Sequence, residues 1–365
     1  MRSSKWIAAL GTCALALTVA ACGSDDKKAS SGSDKGAQKG GTLNGAGATF
    51  PAPVYTEWAA NFKEAQGTTV NYQAVGSGAG IAQFTAGTVD FGASDAAMKD
   101  EEIKAAKKGD PVHVPTVLGA VTVSYNVSGV DKGLKLDGAT IADIFLGKVK
   151  KWDDAAITKL NPDVKPPSTD ITVCHRSDES GTTKNFTQFL ADYSKAWESG
   201  PGVDKSVKWP TGTGAKGNDG VAGCVKQTDG AVGYVEQAFA LQNNFTTAAV
   251  KNKAGQFIEP TLDATSAAGE GVKPPADLRF STIDADGDTS YPITAITFLL
   301  VYKDSCKAGL SAKQAGLLVD WLNYALGAGQ DVAGGLQYAK LPAPIKTAAQ
   351  GKVDGLECNG KPLKG

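Results

Sequence analysis

Three times in this chain a run suited to a strand breaks on glycine, serine or threonine and resumes as a helix. The first break is Gly45-Ala46-Gly47-Ala48-Thr49-Phe50-Pro51-Ala52-Pro53, whose prolines fall where a helical first turn tolerates them. The second is Gly76-Ser77-Gly78-Ala79-Gly80, between the strand-like residues 68–75 and a helical Ile81, Phe84 pattern. The third is Ser180-Gly181-Thr182, where Ile171-Thr172-Val173 gives way to Phe186, Phe189, Leu190 and Tyr193 at helical spacing. Strands alternating with helices across such junctions predict an α/β fold, in which ligands meet helix N-termini beyond the carboxyl ends of strands. The first N–H groups of a helix have no partner within it, and the macrodipole makes that end positive. These turns therefore suit a tetrahedral oxyanion. Arg176, four residues before Ser180, adds a guanidinium fork matched to two anion oxygens. The plain alternative for the third turn is a capped helix with a surface Arg–Asp pair.

Composition narrows the choice. With 365 residues, 42% of them hydrophobic, the chain can bury one or two full cores. Its 37 basic and 38 acidic side chains leave a formal charge of -1, so no global field recruits nucleic acid, and an anion must be held locally. Two histidines and two methionines argue against a His-rich metal centre. Asp284, Asp286 and Asp288 alternate as in a calcium loop, but Thr289 stands where that loop needs Gly and Ala295 where it needs Glu. Val75 occupies the first glycine position of a G-x-S-x-G elbow, so the second turn is not a hydrolase nucleophile. Neither Walker A nor H-E-x-x-H is present. No metal and no cofactor is expected.

The N-terminus reads as a processing segment. Arg2 and Lys5 precede an apolar run from Trp6 to Ala20, and Val19-Ala20-Ala21 lead into Cys22. This pattern is similar to a bacterial lipoprotein signal over residues 1–21, with Cys22 as the acylated first residue. An ordinary secretory signal is the alternative. The apolar run is short for a membrane span. Residues 22–41 lack aromatic and branched apolar side chains and read as a flexible tether to the outer face of a membrane. Four cysteines then remain in an exported chain, Cys174, Cys224, Cys306 and Cys358. Two disulfides in one of three connectivities are expected. Cys174–Cys224 and Cys306–Cys358 is favoured, because each pair then lies within one domain.

Folding is expected to begin near Thr42. Residues 111–125 contain two β-branched runs around Leu118-Gly119-Ala120, suited to carrying the chain between domains, and residues 291–301 suit its return. The expected division is residues 42–118 plus 293–365 as one domain and 119–292 as the other. A charged helix over 99–108, a capping role for Thr49, a structural role for His113 and a short C-terminal closure complete the reading.

Six motifs in order resemble the PstS-type phosphate-binding proteins of phosphate ABC transporters. They are the Gly45–Pro53 turn, Val89-Asp90-Phe91-Gly92-Ala93-Ser94-Asp95, Lys150-Lys151-Trp152-Asp153-Asp154, Arg176-Ser177-Asp178-Glu179-Ser180-Gly181-Thr182, Gly217-Asn218-Asp219-Gly220 and Gly233-Tyr234-Val235-Glu236. The resemblance implies a two-domain type II periplasmic-binding-protein fold with the ligand in the cleft between domains. It implies a phosphate site made of Thr49, Phe50 through its backbone N–H, Ser77, Asp95, Arg176, Ser180, Gly181 and Thr182, with Asp178 orienting Arg176. Capture of inorganic phosphate, delivery to membrane permease subunits, a monomeric state and no catalysis follow from the same resemblance. Glu179 departs from it, placing a carboxylate near the anion where a small residue is common. The competing readings are a secreted phosphatase or phosphotransferase with Ser180 or Thr182 as nucleophile, and a binder of another oxyanion such as sulfate.

Overall fold

The computed structural model describes residues 40–130 and 133–363. The signal segment, Cys22 and nearly all of the tether lie outside these residues. The last tether residue does not: strand Gly41–Gly47 begins at Gly41, which is in register with Thr68. Its Cα lies so close to Leu317 that a Cβ would meet the side chain at 2.4 Å, so the glycine belongs to the packed body.

Strand Gly41–Gly47 pairs in parallel with Thr68–Ala74 on one side and Phe91–Ser94 on the other. Parallel neighbours need crossovers, and helices Ala52–Gln66 and Ser77–Ala86 supply them. Strand Thr294–Tyr302 then runs antiparallel between Phe91–Ser94 and the long strand Pro111–Asn126. The long strand is continuous through Leu118-Gly119-Ala120, where the sequence suggested two runs. Residues 111–120 pair with Thr294–Tyr302, and residues 121–126 pair with Ala231–Glu236. Beyond lie Thr172–Arg176 and Thr213–Ala215, both parallel. One strand is thus shared by two sheet halves, each with its own helices, which is a two-lobed α/β fold.

The long strand carries a bulge where Thr297 opposes Val117 but Phe298 opposes Pro115. Pro115 has no N–H to give, so an irregularity there costs the ladder little, and a bulge re-aims nearby side chains. It sits beside Thr297, whose hydroxyl reaches the site described below.

The first lobe is built on an aromatic cluster. Trp321 lies 6.2 Å from Trp58, 5.4 Å from Phe62 and 6.0 Å from Tyr324, ring centre to ring centre. It arrives on helix Ala312–Leu326, which Ser311 and Gln314 start with a reciprocal capping box. The second lobe has its own cluster, in which Tyr234 stacks on Phe186 at 4.4 Å and on Trp209 at 5.7 Å. Trp152 of the basic loop is fully buried against Tyr125. The disulfides are Cys174–Cys224, tying strand Thr172–Arg176 to helix Gly217–Gln227, and Cys306–Cys358 near the C-terminus. Two elements differ from the sequence reading. The helix expected over 99–108 spans only Asp100–Ala105, and the C-terminal closure contains a helix of its own, Ala343–Asp354.

Replacing Trp321 by Ala should cost about 3–5 kcal/mol in urea unfolding, the usual loss for a buried Trp. Trp321→Phe should cost clearly less, because the buried indole N–H has no acceptor and its removal leaves no polar group behind. Equal losses would contradict this account of the cluster.

Candidate functional site

Four helices start at one place between the lobes: Ala52–Gln66, Ser77–Ala86, Gly181–Tyr193 and Gly217–Gln227. The residues around these starts are linked directly. Gly181 N–H donates to Ser77 Oγ at 3.0 Å, and Asn218 donates to Thr49 Oγ1 from its backbone N–H at 3.2 Å and from Nδ2 at 2.9 Å. Asn185 Nδ2 reaches the carbonyl of Asp95 at 2.6 Å, and Gly78 N–H reaches that of Glu179 at 3.0 Å. The lobes are closed on one another. At the rim, Lys99 pairs with Asp204 at 2.8 Å and Lys205 pairs with Glu102. Thr49, Phe50, Ser77, Asp95, Arg176, Ser180, Gly181 and Thr182 are all buried at this junction.

The approach is so close that glycine is required twice. At Gly181 a Cβ would lie 2.7 Å from both Ser77 Oγ and the Asp95 Cβ. Gly76 has φ +96°, and a Cβ there would meet Asp178 Oδ2 at 2.5 Å.

Hydroxyl geometry gives the site its polarity. A hydroxyl has one proton and two lone pairs. Both lone pairs of Thr49 Oγ1 are taken by Asn218, and both of Ser77 Oγ by the N–H groups of Asp95, at 3.3 Å, and Gly181. Thr182 Oγ1 receives Arg176 Nη1 at 3.5 Å and Asn218 Nδ2 at 3.4 Å. Ser180 Oγ caps its helix by accepting from Thr183 N–H at 3.1 Å. Each hydroxyl is thereby left with its proton to give. Thr49 does not cap helix Ala52–Gln66, as the sequence suggested; Pro51 holds that position without a side-chain bond. The Thr49 side chain turns across to Asn218 instead.

The charges nearly cancel. Arg176 donates to Asp178 from Nε at 2.7 Å and from Nη2 at 2.5 Å, and Asp178 Oδ1 also accepts from Gly217 N–H at 3.1 Å. Burial opposes ionisation of Asp178, but the Arg176 bond and charge outweigh it and hold the carboxyl below its usual range. The Arg176 backbone N–H is fixed by Tyr234 Oη at 3.1 Å, while the two bonds to Asp178 fix the guanidinium.

Asp95 directly follows strand Phe91–Ser94 and accepts from Thr297 Oγ1 at 2.8 Å. Burial pushes its carboxyl up to about 7, against the opposing influence of Thr297, Arg176 and Ser77. Glu179, the departure from the resemblance, is exposed, and its side chain covers Gly78 at the rim. His175 stacks on Trp209 at 4.7 Å, so its ring serves packing and does not serve a hydroxyl as base.

Several residues escaped the sequence reading. Thr297 had a strand role only, and Asn185 was one polar residue inside an amphipathic helix. Asn218 lay in a quoted motif without a role. Glu236 is fully buried behind Asn218, whose Oδ1 accepts the Glu236 N–H at 3.0 Å. Tyr338 Oη lies 2.7 Å from the Phe50 carbonyl and 2.9 Å from Glu236 Oε2. The one phenolic proton serves either acceptor, not both at once. Burial pushes the Glu236 carboxyl well above its ordinary value, against the opposing influence of Tyr338. The Phe50 backbone is held at its carbonyl by the same tyrosine.

A family model described as the PBP superfamily domain matches residues 32–328. A phosphate-binding protein PstS of Pasteurella multocida is 41% identical over 88% of this chain and 93% of its own. A second PstS, from Haemophilus influenzae, is 42% identical over 83% of this chain and 90% of its own. The fold is also similar to that of a high-affinity periplasmic phosphate-binding protein, PfluDING, solved with phosphate at pH 8.5. That match has a TM-score of 0.70 and 23% identity, and it covers 85% of this chain and 93% of the other. The two-lobed α/β body fits these relatives, and the chain belongs to the PstS family of the PBP superfamily.

Proposed function

We propose that the chain captures inorganic phosphate outside the cytoplasm and delivers it to the membrane subunits of an ABC-type importer. The observation that carries this reading is the set of buried hydroxyls turned into donors opposite a single carboxylate acceptor. Thr49, Ser77, Ser180 and Thr182, with the N–H of Phe50 and Arg176 Nη1, surround the anion. Gly181 serves the site through the close approach it allows and through its N–H, which holds Ser77 Oγ. Four helix starts add positive potential without adding formal charge. Asp178 orients Arg176. The lobes close about strands Pro111–Asn126 and Thr294–Tyr302, dividing the body into residues 42–118 plus 293–365 and residues 119–292. Each disulfide stays within a single part, Cys174–Cys224 in the second and Cys306–Cys358 in the first, and leaves the hinge free. Cys22 carries the lipid that holds the protein at the membrane, where it works as a monomer. Binding rather than catalysis is favoured by the family to which the chain belongs, whose members are named as phosphate-binding proteins.

Asp95 supplies the choice of anion. Ionised carboxylate only accepts, and phosphate near neutral pH still carries a P–OH, whereas sulfate has none. Sulfate therefore meets buried, unpaired lone pairs.

Calorimetric titration of the folded body at pH 8 tests the reading. Phosphate should bind at one site, and sulfate should bind at least about tenfold more weakly, the scale of an unmet hydrogen bond to a charged group. Sulfate as tight as phosphate, or no heat with phosphate, would contradict it. Asp95→Asn should keep phosphate binding and admit sulfate to within a few-fold, since an amide can donate as well as accept. Unchanged discrimination would remove Asp95 from the selecting role.

The same carboxyl predicts a pH effect on the ligand-free protein. Between its ordinary value of 3.8 and its folded value of about 7, the folded chain holds a proton that the unfolded chain has released. Stability due to the neutral carboxyl therefore falls as pH rises from about 4 to 7 and stays lost above that. Asp95→Asn cannot ionise, so urea unfolding across this window should show a shallower fall than wild type. Parallel curves would contradict the burial account.

A further inference from the structure

We propose that Asn218 is a positioning residue, which fixes the Thr49 hydroxyl as a donor to the bound anion and does so only when the lobes are closed. The inference rests on the phosphate reading above and deepens it.

The side-chain amide is set in one orientation. Its Oδ1 accepts the backbone N–H of Glu236 at 3.0 Å, so Nδ2 faces the two threonines, at 2.9 Å from Thr49 Oγ1 and 3.4 Å from Thr182 Oγ1. The backbone N–H of Asn218 adds a second bond to Thr49 Oγ1 at 3.2 Å. With both lone pairs occupied, the Thr49 proton points away from Asn218. A threonine hydroxyl left to itself can accept as readily as donate, and an acceptor facing an anion repels it. Asn218 removes that freedom in advance, which is preorganisation of the hydrogen-bond field.

The contact also joins the lobes. Thr49 follows strand Gly41–Gly47 of the first sheet half, whereas Asn218 stands in the first turn of helix Gly217–Gln227, which packs on the second. In an open form the Thr49 hydroxyl loses both donors and its fixed polarity together. Asn218 is fully buried, and its amide oxygen and nitrogen are both engaged, with the Glu236 N–H and the two threonine hydroxyls. Aspartate, the nearest isostere, would reverse the field, because its carboxylate accepts the Thr49 proton that the anion needs.

A double-mutant cycle tests this. Phosphate affinity is measured by calorimetry at pH 8 for wild type, Asn218→Ala, Thr49→Val and the double variant, with ligand-free melting curves for each. Each single change should weaken phosphate by about tenfold or more, the scale of a hydrogen bond to a charged group. The double variant should be no weaker than about the worse single one, since residues acting through one another do not add. Asn218→Asp, of the same size, should bind phosphate more weakly than Asn218→Ala while melting as a folded protein. Multiplying losses in the double variant, or Asn218→Asp binding as well as wild type, would overturn the proposal. Failure of wild type itself to bind phosphate would instead overturn the phosphate reading on which it rests.

Discussion

The two-point ion pair between Arg176 and Asp178 sets the terms for everything around it. A guanidinium buried without its carboxylate would carry a heavy desolvation cost, and the pair removes most of it. The same pair spends most of the cation's charge before any ligand arrives. An anion in this place must be stabilised by dipoles: helix starts, N–H groups and hydroxyl protons. That requirement explains why four helices begin at one junction and why so many N–H groups occupy hydroxyl lone pairs. Each such bond removes one way in which a hydroxyl could turn its oxygen toward the anion.

Dipoles of this kind are effective only where water is excluded and their directions are fixed. Closure supplies both conditions. The long strand Pro111–Asn126 serves both sheet halves, so the lobes share a backbone ladder but meet across the site through side chains and turn amides. Gly76 and Gly181 allow that meeting, and Thr49 with Asn218 and Ser77 with Gly181 complete it. Behind this layer lies a second one: Tyr234 holds the Arg176 backbone, Thr297 holds Asp95, and Tyr338 links the Phe50 carbonyl to Glu236. Burial pushes the Glu236 carboxyl well above its ordinary value, against the opposing influence of the Tyr338 hydroxyl.

Much of this was legible in the chain. Strand, glycine-rich turn and helix recur visibly because backbone geometry demands particular residues at such junctions. Motif order then identified the family, through the Gly45–Pro53, Val89–Asp95 and Arg176–Thr182 motifs among six. The favoured cysteine pairing followed from keeping each bridge within one part of the chain. What was not legible depends on contacts distant in sequence. Thr297 reaches Asp95 across 202 positions, and Asn218 reaches Thr49 across 169. No local period reports such a meeting. Thr49 itself was assigned to a cap because, locally, a threonine before a proline-led helix looks like one. The exposure of Glu179 was equally unreadable, since its direction is set by Gly78 on the other lobe.

The central claim is that the site presents donors on every side but one. Neutron diffraction from crystals grown with phosphate in deuterated solvent tests it most directly, because it locates the hydroxyl deuterons. The account predicts deuterons of Thr49, Ser77, Ser180 and Thr182 all directed at anion oxygens, and an anion-borne deuteron directed at Asp95. A hydroxyl deuteron turned back onto the protein with its oxygen facing the anion, or a deuteron carried by Asp95 toward a fully deprotonated ligand, would contradict it.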